Sequence, residues 1–403
     1  MLDRFRGSTI TLAIAATAVG AAVSVSVTPA SAQAPAASVT APAPAPALAL
    51  KTPWGEPDLQ GIWTDEFDTP LQRPAKYAEQ EFFTPAQRAE LDRVRSAALG
   101  RFATEKDLNG AYNAAVFFTT KHTGARTSKI VDPPNGRIPP PTPEAAKIAA
   151  TDRDFRLAQL QSTDTCKNKL PGCAGGKYDP TPSPRRAETP PRYNTANINR
   201  YDGPEDGTLG NRCLTLGLPE FGGATGSFRR IVQTPGGISI FYDVGQGQGW
   251  QRNIVMNASP HLPANIRQWY GDSRGHWEGN TLVIDVTNFS PKTDYQGSRE
   301  NLHLTERWTR TGPTSLEYAV TIEDPTVWTR PWTVKQDFGR ESDQENRIYY
   351  EPRCYEGNYA LPGWLRGHRL EEQAFAEGRG PDPATKDGTG ALVETEAVPD
   401  PLQ

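Results

Sequence analysis

The sequence is poor in the residues that carry most metal and thiol chemistry: five histidines, four cysteines and two methionines in 403 residues. Neither charge sign dominates, since 43 Lys and Arg face 47 Asp and Glu for a net charge of −4. A nucleic-acid binder needs a basic face, and this balance argues against one. No Gly-rich nucleotide fingerprint is present, and no cluster with metal-ligand spacing. Neither a cofactor nor a metal is expected. What the chain has in quantity is 36 glycines, 37 prolines, nine tryptophans and thirteen tyrosines. That composition fits a loop-rich β protein with an aromatic core and does not fit a helical bundle.

The first residues read as an address. Arg4 and Arg6 precede an uncharged run from Ser8 to Val27, and Ala30-Ser31-Ala32 is an A-x-A cleavage pattern. A secretory signal peptide over 1–32 is expected, cut after Ala32, with no stable membrane insertion afterwards and a periplasmic or secreted destination. The Ala/Pro run 33–50 reads as an extended linker. Export favours disulfides among Cys166, Cys173, Cys213 and Cys354. Four cysteines allow three pairings. A short staple between Cys166 and Cys173, close together in a Pro/Gly-rich loop, is natural and would leave Cys213 with Cys354; the alternative, a zinc site, is disfavoured by the Cys166/Cys173 spacing.

Residues 51–227 read as a helical, loop-rich segment packed on a β domain. Trp54 to Asp65 reads as an entry strand. Thr84-Pro85 and Thr142-Pro143 each place an N-cap before a proline at the first helical position, opening helices to about Phe102 and Gln161. From Phe228 the texture changes to short alternating runs split by turns, about eight strands in the 228–377 domain. Expected strands include 230–234, 238–243, 265–270, 281–289, 302–310, 315–323, 328–336 and 347–352. Pro235-Gly236-Gly237 is a hairpin signal and Gly271 to Gly275 reads as a tight turn. Short sequential connections mean antiparallel neighbours. The fold expected is mainly β: an antiparallel lipocalin-like barrel or a curled sandwich, because open edges are a liability. Leu361 to Ala376 reads as a C-terminal helix, and 378–403 as a flexible tail.

These motifs carry a resemblance. Pro53 to Trp63 (PWGEPDLQGIW), Ile130 to Arg137, Trp269 to Gly279, Asn301-Leu302-His303, Glu306-Arg307 and Cys354 to Tyr359 resemble the signatures of a large uncharacterised family of bacterial secreted proteins. The resemblance spans most of Pro53 to Ala376 and brings no activity with it. The chain departs from the pattern at His276 and Asn280, where it implies Arg and Asp.

The candidate site residues follow from strand alternation. In Leu302 to Trp308, Leu302, Leu304, Glu306 and Trp308 share one face; His303, Thr305 and Arg307 share the other. The polar face is either solvent-facing or the lining of a ligand cavity. In the second case His303 is a general base and Arg307 a cation that stabilises the resulting anion. Glu306 then reads as a buried partner for Arg310 or Arg267. His261, between two prolines, is a further catalytic candidate. Arg267, Trp269, Asp272 and Glu356 are substrate-binding candidates; Asp272 also suits a turn cap, and Glu356 is held by the neighbouring Cys354. The leading expectation is an enzyme using cofactor-independent acid–base chemistry, of lyase, isomerase or hydrolase type. Its substrate is a small amphipathic, aromatic or sugar-derived molecule. The alternatives are a non-catalytic ligand-binding protein and a structural envelope protein.

Overall fold

Two helices begin where the sequence places them. In the computed structural model α1 runs Pro85–Phe102. Thr84 Oγ1 accepts from Gln87 N at 3.2 Å and Gln87 Oε1 accepts from Thr84 N at 2.8 Å. Each side chain satisfies a backbone donor that has no partner within the helix. Helix α2, Pro143–Leu160, repeats the device with Thr142 accepting from Ala145 N. Helix α3 covers Ala360–Ala376. The structure describes residues 50–65, 67–102, 122–193, 199–215, 217–221, 228–245, 248–257, 259–342 and 354–387. The expected signal peptide, most of the linker and the strand at 347–352 lie outside them. No helix among the described residues is long and apolar enough to cross a membrane.

The strands are β1 Gly61–Thr64, β2 Phe67–Asp68, β3 His122–Thr123, β4 Ile130–Asp132, β5 Phe228–Thr234, β6 Gly237–Gly245, β7 Gln248–Val255, β8 Asp272–Glu278, β9 Thr281–Thr287, β10 His303–Arg310, β11 Ser315–Glu323 and β12 Trp332–Arg340. Each of β5 to β12 neighbours the next, and β1 pairs with both β5 and β12. The sheet therefore returns on itself as a closed barrel of nine strands, which removes the open edge. Of the two architectures expected, the barrel is the one formed. β1 comes from the N-terminal segment, so that segment closes the barrel as well as packing on it. β4 pairs with β12 through Val334 and Thr333, and β1 pairs with the other end of β12 at Gly339 and Arg340.

Three strand expectations change. Residues 265–270 belong to a crossover, not a strand. The Gly271–Gly275 turn is the start of β8, held by seven register pairs to β9. β7 and β8 run parallel and share one register pair, Val255↔Arg274, so the meander is not antiparallel throughout. The tail expected from Gly378 is tied down at its start: Ala384 O accepts from Ser162 Oγ, and Asp387 Oδ1 accepts from Thr165 N.

Alternation fills the barrel. Register places Trp63, Arg229, Ile231, Ile240, Tyr242, Ile284, Leu304, Trp308, Tyr318, Val334 and Phe338 on the inner surface, all buried. The indole of Trp308 lies 4.3 Å from the ring of Tyr318, centroid to centroid. Among the described residues this inner surface carries mainly aromatic and branched side chains, and His303 and Arg307 are not on it.

Candidate functional site

His303 and Arg307 lie on the outer face of β10, opposite the buried set Leu304, Glu306 and Trp308. Of the two readings of this face, solvent side or cavity lining, the structure has the solvent side: only one face of a regular strand can meet the core, and the apolar residues occupy it. The outer face is nonetheless organised. Adjacent outward positions on β8 to β11 bring Arg274 opposite Asp285, and His303 opposite Glu323. His303 Nε2 lies 2.7 Å from Asp285 Oδ1, and its Nδ1 lies 3.6 Å from Glu323. The loop histidine joins from the other side. His261 Nε2 is 3.5 Å from Asp285 Oδ2 and its Nδ1 is 2.8 Å from Asp272 Oδ2. Arg274 grips both oxygens of Asp272 and donates to Ser259 Oγ at 2.7 Å. Two imidazoles thus share one carboxylate, and each is backed by another.

The structure therefore brings together three of the candidates, His303, His261 and Asp272, through Asp285, which the sequence reading missed. Its signal is a lone charge in the apolar strand Thr281–Thr287. The hydrogen bond to Asp285 raises the His303 pKa; burial opposes this and Glu323 adds to it. The same bond lowers Asp285, again against burial. For Asp272 burial works upward, but Arg274, Leu262 N and His261 outweigh it and its pKa falls. Neighbouring carboxylates favour the protonated form of His303, and an imidazole in that form can donate a proton or bind an acceptor. Among the described residues, no group of three or more His, Cys, Asp or Glu is placed to hold a metal ion.

A pH signature follows. The raised His303 contributes stability fully below the ordinary imidazole pKa, and loses it as pH rises through the raised folded value. The depressed Asp285 contributes above the ordinary carboxyl pKa, and loses it as pH falls through its folded value. The pair is expected to stabilise most between about pH 4 and 6.5. His303→Gln should melt below the parent in that window and converge with it towards pH 9. A difference that instead grows with pH would contradict this ionisation.

The other candidates are dispersed. Arg307 donates to Glu278, which also meets His276 at 3.2 Å, an exposed cluster separate from Asp285. Glu356 pairs with Arg212, whose Nη1 donates to Tyr193 Oη at 2.7 Å. Glu306 turns inward, and its partner is Arg252 rather than Arg310 or Arg267. Gly271-Asp272-Ser273-Arg274-Gly275 has the Gly-x-Ser-x-Gly spacing of a hydrolase nucleophile elbow. Ser273 sits within β8, is buried and accepts from Arg252 Nε at 2.9 Å. An elbow needs an exposed serine on a strand-to-helix turn, so this serine is not one. The disulfides are Cys166–Cys173 and Cys213–Cys354.

Several clefts open among the described residues, and two of them bear on function. The first, of about 730 Å³, opens between α2, residues 291–301 and the turn 324–328. Ile138, Pro141, Ala145, Ile148, Val327 and Trp328 give it an apolar wall, and Arg192, Lys292, Glu300 and Asn301 give it polar groups. Its frame is fixed: Thr142 N donates to Val327 O, Thr329 N to Pro140 O, and Arg299 to the carbonyls of Pro291 and Tyr193. The second, of about 510 Å³, lies at the β7–β8 seam and is lined by Arg267 and Trp269. Two of the substrate-binding candidates therefore share one cleft.

No family model matches the chain, and no curated protein matches it. Among solved structures, a mutant of the fluorescent protein UnaG aligns with a TM-score of 0.19 and 15% identity, over 29% of this chain and 73% of that one. At that level the architecture is defined by the strand pairing above.

Proposed function

We propose that the protein is a non-catalytic binding protein for a small amphipathic molecule, held in the cleft beside α2. The observation that carries this is the division of that cleft into a wall of Ile, Pro, Val and Trp and a set of charged and amide groups. Small-molecule sites have this composition: apolar surface supplies affinity and a few placed polar groups fix orientation. The hydrogen bonds that staple α2 to the 324–328 turn hold the walls before the ligand arrives, which lowers the ordering cost of binding. Two disulfides suit a periplasmic or extracellular setting. A ligand present at a hundred times its Kd should stabilise the fold by about 2.7 kcal/mol. A thermal-shift screen of amphipathic metabolites tests this. Hits should lose their effect in Ala149→Trp, which fills the cleft from the exposed side of α2. Hits that stabilise that variant equally, or a screen without hits, would count against the reading.

A second reading, acid–base catalysis, is favoured by the imidazole–carboxylate cluster alone. It requires a turnover that His303→Gln removes.

A further inference from the structure

The seam cleft has a different chemistry from the cleft beside α2. Every pair of neighbouring barrel strands from β8 to β12 is joined by a run of register pairs, but β7 and β8 share only Val255↔Arg274. Beyond that bridge the strands part. The gap is lined by Gln251, Arg252 and Asn253 from β7 and by Arg267 to Gly271 and Ser290 across it. Among the described residues this lining holds two guanidinium groups and no carboxylate. Arg267 donates to the Glu300 carbonyl at 2.6 Å and has no carboxylate partner among the described residues.

Arg252 is the buried member of the lining, its side chain 2% exposed. Its Nε donates to Ser273, and its Nη1 to Glu306 (3.1 and 2.8 Å) and to Tyr242 Oη at 3.3 Å. Its Nη2 is buried and makes no hydrogen bond among the described residues. That atom is closed off from solvent, so the accessible cation of the lining is Arg267. Aromatic surface stands beside it: Trp269 and Tyr270 line the cleft, and Tyr270 stacks on Tyr242 with the rings 8° from parallel.

We propose that the β7–β8 seam is a binding site for a small organic carboxylate with a flat apolar body. The carboxylate meets the charge of Arg267, and the body lies on Trp269. Because Glu306 already balances the buried Arg252, the attraction for the anion comes from Arg267. The site is separate from the cleft beside α2 and does not depend on the reading given for it.

The test uses the full chain and 2-naphthoate as probe, with 2-naphthamide as its uncharged counterpart, in calorimetric titrations. Naphthoate should bind one to one, and naphthamide at least tenfold more weakly. Arg267→Gln and Trp269→Ala, both on the crossover and away from the barrel core, should each weaken naphthoate about fivefold or more at an unchanged melting temperature. Ala149→Trp should leave naphthoate binding as it is. Absence of naphthoate binding, equal affinity for the two probes, or indifference to both seam variants would overturn the proposal. So would loss of binding in Ala149→Trp, which would place the anion in the other cleft.

Discussion

Replacing Cys213 and Cys354 together by serine is expected to destabilise the protein by about 5 kcal/mol, the loop-closure entropy for a loop of this length. The bridge joins residues 141 positions apart, so it removes a large share of the freedom of the unfolded chain. Its native surroundings support the estimate. Trp250 Nε1 donates to Cys213 O at 3.3 Å, and Arg212, next in the chain, pairs with Glu356, two residues past Cys354. The crosslink therefore ties the segment entering β5, and through Trp250 the wall of β7, to the segment entering α3. The Cys166–Cys173 bridge spans only seven positions, and its removal should cost about half as much. Denaturant titration of each double-serine variant measures both. A long-range variant as stable as the parent, or less affected than the short-range one, would show that the chain-entropy account fails here.

The same architecture shows what local sequence can and cannot specify. The helix starts at Thr84 and Thr142 were legible because a cap and a proline act within one turn. The β5–β6 hairpin was legible because Pro235-Gly236 is the turn itself. β8 was not. Asp-Ser-Arg-Gly has the composition of a turn, and it becomes a strand because β9 offers seven consecutive partners; pairing overrides propensity. β7 was hidden by Gly249 near its start, a residue type that weakens a strand signal. On β10 alternation sorted the side chains into two sets correctly but gave no direction. Direction is set by the whole barrel, which turns the set with Leu304 and Trp308 inward and takes Glu306 with it. The histidine cluster was half legible for the same reason. His303, His261 and Asp272 stood out as residue types, but Asp285 and Glu323, which connect and back them, come from strands that meet β10 only after folding.

Glu306 is where the inward choice has its largest energetic consequence. Its carboxylate is fully buried and its ion partner, Arg252, sits 54 positions away. Burial works against the charge of Arg252, but attraction to Glu306 and the bond to Tyr242 outweigh it and raise its pKa. Removing either partner strands a charge in the barrel. Glu306→Ala and Arg252→Ala are therefore each expected to cost about 3–5 kcal/mol, most of it from the charge left behind. Replacing both together by apolar residues of similar volume, Arg252→Met with Glu306→Leu, should recover most of that loss, because two matched desolvation penalties disappear with the pair. The double variant should thus be more stable than either single one, a coupling of several kcal/mol that a double-mutant cycle reads directly. Additive losses, with the double variant the least stable of the three, would mean that the pair contributes through the packing of Tyr242, Ser273 and Trp308 around it and not through charge.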